Sequence, residues 1–91
     1  MNSARIPLAT LMLSISSQSL ATGLATCDSG PESGWKPQEV LVKKLTAQGW
    51  NVRQVKVDGG CYEVYALDDK GQRVEAYFHP VTLVRVSTSK D

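Results

Sequence analysis

One histidine and two cysteines are all the imidazole and thiol groups that these 91 residues offer. His79 has no Ser or Cys nucleophile pattern around it, so no hydrolase triad is signalled. No further Cys or His lies at ligand spacing from Cys27 or Cys61, which disfavours two thiols sharing a metal. Charge of one sign is missing as well. The chain has ten Lys and Arg against nine Asp and Glu, and Arg5 alone precedes position 26. From Thr26 onward the charges therefore balance, and they are interspersed, which argues against nucleic acid or an anionic membrane surface as partner. No low-complexity tract and no repeat of solenoid period is present. Long apolar runs are absent too: Ile6 to Ile15 is far shorter than the roughly 20 residues a spanning helix needs.

What the first quarter does carry is an export pattern. Arg5 supplies a weak positive start, Ile6 to Ile15 an apolar core free of acidic residues, and Gly23-Leu24-Ala25 the small-x-small site of a signal peptidase. Residues 1–25 are therefore read as a signal peptide, with Ala21 as a second possible cut. Leu24-Ala25-Thr26-Cys27 also approaches a lipobox, which would make Cys27 a lipidated N-terminus. Thr26 is larger than the Gly, Ala or Ser that motif wants, so the lipoprotein reading is the weaker one. In an exported chain the two cysteines are instead expected to pair. Closing about 33 intervening residues destabilises the unfolded state by roughly 3 to 4 kcal/mol in the chain-entropy model. A mature domain of about 66 residues buries little core, so such a staple matters. The compartment implied is the periplasm, with no stable membrane insertion after cleavage.

Residues 26–34 read as an irregular leader rich in turn formers. A helix is expected next. Pro37 suits its first position, Glu39 can reach back to the cap, and Trp35 can staple onto Val40. Leu41, Val42 and Leu45 form its apolar stripe. Gly49 ends it in a left-handed cap, with Trp50 against Leu45. Trp50 to Val57 reads as a first strand. Its valines change parity, so a bulge is expected near Arg53-Gln54. Asp58-Gly59-Gly60 is a tight turn. Cys61–Leu67 and Arg73–Phe78 alternate apolar and polar residues around the turn Asp68-Asp69-Lys70-Gly71, the pattern of a hairpin with one buried side. A turn at His79-Pro80-Val81-Thr82 leads to a short closing strand, Leu83 to Val86, and residues 87–91 form a polar tail. The fold class is α+β: one N-terminal helix packed on a three- to four-stranded antiparallel β-meander.

The Gln-Gly-Trp break after the helix, the GGCYEVYALDDKGQRVEAYF hairpin and the Pro-Val-Thr turn together resemble the PepSY domain. The resemblance is to its small, single-domain periplasmic form and covers residues 35–86. Relatives close the hairpin with Asp-Pro-x-Thr-Gly. Here His79 stands for the Asp and Leu83 for the Gly, although Leu tolerates positive φ poorly. PepSY domains occur in propeptides of thermolysin-like peptidases and as free periplasmic proteins, and are proposed to restrain peptidases locally. Others accompany membrane reductase and b-type cytochrome systems. The resemblance implies an exported protein-binding module with no catalysis or cofactor of its own, a peptidase being one candidate partner. The alternative is an accessory or sensory component of a membrane redox or signalling system.

Alternation places Tyr62, Val64, Ala66, Val74, Ala76 and Phe78 beneath the helix. Cys61, Glu63, Tyr65, Leu67, Glu75 and Tyr77 then share the opposite face. Glu63 and Glu75 are expected to face solvent and to pair with neighbours such as Arg73 rather than to act as general acid and base, which needs an enclosed pocket. Tyr65 and Tyr77, with Glu63 and Glu75, are the candidate partner-binding residues, since aromatics on an open sheet face make good anchors. Two other readings stand beside that one: the tyrosines stack on each other, or the Cys27 leader covers them. His79, Asp68 and Asp69 are read as turn residues rather than ligands, calcium loops needing more oxygen donors.

Overall fold

The computed structural model describes residues 23–91. The apolar run read as a signal-peptide core and the possible cut at Ala21 lie outside these residues. A 3-10 turn at Glu32–Gly34 leads to helix α1, Gln38–Ala47. Four strands follow, β1 (Asn51–Asp58), β2 (Cys61–Leu67), β3 (Arg73–Phe78) and β4 (Arg85–Val86). They pair in chain order as one antiparallel sheet. The result is the expected meander with a single helix, an α+β fold.

Local chemistry accounts for each boundary. The helix ends in a full Schellman motif: Gly49 sits at φ 91°, its N–H donates to the Thr46 carbonyl, and the Trp50 N–H donates to the Leu45 carbonyl. The start differs from expectation by one residue. Pro37 has ψ 149° and is therefore the cap rather than the first helical residue, with no side-chain cap bond. Trp35 does not staple onto Val40, which is exposed. Its ring meets Tyr62 edge-on at 5.6 Å instead, and its Nε1 donates to the Ser29 and Gly30 carbonyls. In β1 the ladder slips between Val52 and Gln54, leaving Arg53 as the extra residue of a bulge. The bulge sets Val52 and Val55 on one face.

Asp58 pairs with Cys61 across a two-residue turn whose glycines both have positive φ, 60° and 79°, as a type I′ hairpin requires. In the second hairpin Asp68 Oδ1 accepts from the Lys70 and Gln72 N–H groups, so this carboxylate shapes the turn.

Leu41 and Leu45 of α1 pack on Tyr62, Val64, Ala66, Ala76 and Phe78, with Leu83 closing the cluster. Leu83 has a positive φ, 63°, unusual for a residue with a branched side chain. Its side chain is buried, and its N–H donates to the His79 carbonyl. The left-handed backbone costs about 1–2 kcal/mol. Burying a leucine returns roughly 1.5–3 kcal/mol, so the fold tolerates the strain. The kink also shortens β4, which starts at Arg85 rather than Leu83. This last turn is tied to the helix start: the Lys36 N–H and Nζ donate to the Pro80 and Val81 carbonyls, and Tyr62 Oη donates to the Lys36 carbonyl.

Candidate functional site

The second sheet face holds the candidate residues, and the leader crosses it. Cys27 and Cys61 form a disulfide with Sγ atoms 2.08 Å apart. Around it the Cys27 N–H donates to the Gly59 carbonyl, Ser29 Oγ donates to the Gly60 carbonyl, and the His79 ring approaches the Asp28 carbonyl at 3.2 Å. The chain lies so close that a Cβ on Gly59 would come within 2.4 Å of the Ala25 oxygen. Upstream, the Gly23 N–H donates to Asp58 Oδ2 at 2.7 Å and the Leu24 N–H reaches Tyr77 Oη at 3.4 Å. The tail joins this layer where the Ser89 N–H donates to the Leu24 carbonyl.

Beneath that layer the expected solvent exposure of the acids is corrected. Glu63 is fully buried, and Glu75 is half-buried rather than open. Tyr77 is also fully buried, so the covering leader is the arrangement found; Tyr65 is half-buried. The reason is that alternation assigns a side chain to a face but says nothing of what a distant segment lays over it. Glu63 and Glu75 occupy diagonal positions on neighbouring strands, Glu63 opposite Tyr77 and Tyr65 opposite Glu75. At that spacing long side chains meet. The expected charge pair with Arg73 gives way to acid against acid. Arg73 sits at the exposed end of β3 opposite Leu67.

The electrostatics follow from this packing. Tyr65 Oη donates to Glu63 Oε2. Glu63 Oε1 and Glu75 Oε2 are buried and take no hydrogen bond from a donor among the described residues. Burial raises the Glu75 carboxyl above the ordinary range, and hydrogen bonding to Glu63 and its charge raise it further; Lys90 and a hydrogen bond from Tyr65 oppose this more weakly. Burial also holds the Tyr65 phenol up, with Glu63 adding to the effect. Tyr77 is raised in the same way by burial and by its bond to Asp58 Oδ2, 2.6 Å long. Asp58 is lowered by Tyr77 and the Gly23 N–H. Such an array can hold or trade a proton.

Asp58 was legible only as a turn former, yet it joins leader and sheet. The signal was available: it stands opposite Cys61, whose disulfide obliges the leader to pass nearby. His79 is held between the Val81 N–H, which it accepts at Nδ1, and the Asp28 carbonyl, so it links turn and leader. No group of three or more potential metal ligands occurs among the described residues. No helix among them is long and apolar enough to cross a membrane.

Residues 5–89 match the family described as the peptidase propeptide and YPEB domain, and the chain belongs to that PepSY family. No curated protein and no solved structure matches it.

Proposed function

We propose that this PepSY protein is an exported, non-catalytic protein-binding module that restrains a peptidase. The observation that carries the reading is the propeptide-family match over residues 5–89, which takes in the helix and all four strands. The disulfide suits an oxidising compartment, the periplasm. The contact surface is the second sheet face, with Tyr65 and Tyr77 as anchors and Glu63 and Glu75 between them, reached when leader and tail move aside. Folded residues 35–86 form the binding unit. The bonds from Gly23 and Leu24 to Asp58 and Tyr77 support removal of the signal after Ala21, which keeps them, over removal after Ala25, which does not. Intact mass of the exported protein checks the cut.

The function is tested by adding the purified protein to a thermolysin-like peptidase. Hydrolysis of a peptide substrate should slow in proportion to the protein added, up to stoichiometry. Unchanged hydrolysis together with no heat of binding would remove the peptidase reading. One observation favours a second reading, an accessory or sensory subunit of a membrane redox or signalling system: a module that only binds has no need of a buried acid pair.

A further inference from the structure

We propose that Glu63 and Glu75 share one proton, and that its loss as pH rises lifts leader residues 23–26 and tail residues 87–91 from the second sheet face. The proposal rests on the reading of that face as the partner surface, and gives it a gate.

The geometry comes first. Two carboxyls meet diagonally across β2 and β3, Glu63 wholly buried, each with an oxygen that receives no N–H or O–H. With Glu63 fully buried and one Glu75 oxygen buried beside it, ionising both is disfavoured, because like charges so placed repel strongly. One proton between them bonds the two groups and leaves a single negative charge, which the Tyr65 hydroxyl solvates. Removing that proton leaves two anions, and the simplest relief is to admit water.

What water must displace is the weakly held half of the cover. Residues 27–30 are fastened by the disulfide, by bonds to Gly59 and Gly60, and by His79 and Trp35. Residues 23–26 and the tail carry no covalent tie: they are held by the bonds to Asp58 and Tyr77, the close approach of Ala25 to Gly59, the Ser89–Leu24 bond and the attraction of Lys90 to Glu75. Cys27 is therefore the hinge.

The other charged groups at this face do not reverse the sign. From β1, Lys56 lies opposite Glu63, with Nζ 6.0 Å from the Tyr65 ring centre, and Asp58 is engaged by Tyr77 and Gly23. Arg73 of β3 is at the exposed end, Asp91 is turned back onto the Thr88 N–H, and the Tyr77 phenol is held protonated. Lys90 of the tail and the Tyr65 hydroxyl favour ionised Glu75, but less than burial and Glu63 disfavour it. A group raised in the folded state stabilises that state below its ordinary value and ceases to as pH climbs through the raised one. The cover is thus firm in acid and loosens above the ordinary glutamate range.

The test uses the oxidised full-length chain with no partner, so its failure is separable from failure of the peptidase reading. Carboxyl-carbon NMR follows Glu75 from pH 3 to 9, and amide hydrogen exchange, corrected for intrinsic rate, follows Ser89 and Cys27. We expect Glu75 to titrate above the ordinary glutamate value of about 4.3. Ser89 protection should fall at least tenfold in the same interval while Cys27 stays protected. Glu75→Gln, whose amide can donate to Glu63, should keep Ser89 protected throughout. Ordinary titration of Glu75, or pH-independent protection of Ser89, or the same loss in Glu75→Gln, overturns the proposal. Should that variant not fold, the wild-type titration and Ser89 exchange decide alone.

Discussion

The two faces of one sheet are buried by different means. On one, α1 directly precedes the sheet in the chain, and Leu41 and Leu45 meet Tyr62, Val64, Ala76 and Phe78 in an apolar cluster whose burial drives the packing. On the other, a leader with no regular structure lies over acids and phenols, fastened by one disulfide and a set of hydrogen bonds. Hydrogen bonds contribute about 1 kcal/mol each net, so the second layer is the one that can come off without unfolding the first. A small domain can thus keep a firm core and a removable cover on strands only one residue thick.

That contrast can be broken most sharply at Phe78. Phe78→Ala, on the helix face, should cost about 3–5 kcal/mol in chemical denaturation, near the whole stability of so small a domain. Next comes the staple: replacing Cys27 and Cys61 together by serine should cost roughly 3 to 4 kcal/mol in the chain-entropy model and loosen residues 23–30 before the core. Leu83→Ala should cost about 2–3 kcal/mol, because lost burial outweighs any change in the strained turn. The smallest effect is expected on the covered face. Tyr77→Phe keeps the ring and loses the bonds to Asp58 and Leu24, about 0.5–1.5 kcal/mol, with faster exchange of the leader amides as its signature. A Tyr77→Phe loss equal to that of Phe78→Ala would erase the distinction between the faces.

How far the sequence reveals this molecule depends on which face is asked about. Alternation in Cys61–Leu67 and Arg73–Phe78, the parity change of the valines in β1 and the Gln-Gly-Trp stop are local signals, and each element follows from them. The helix start was off by one because the fixed φ of proline suits cap and first position alike, and only ψ separates them. Leu83 was out of place by its own preference and is held there by the core around it. Glu63 and Tyr77 could be assigned to a face but not to burial. The leader that covers them comes from residues more than 30 positions away, drawn over by a single covalent link. Polar side chains there lie beneath a cover rather than on a solvated surface.

The most direct measurement of the difference between the faces is tyrosine nitration, mapped residue by residue in the oxidised protein and again after reduction by a dithiol. Tyr62 reports the helix face, Tyr77 the covered one. The account predicts that Tyr62 resists both before and after reduction, and that reduction makes Tyr77 markedly more reactive by freeing the whole leader, residues 27–30 included. Tyr62 and Tyr77 becoming reactive together after reduction, or reduction leaving Tyr77 unchanged, would contradict a firm core beneath a removable cover.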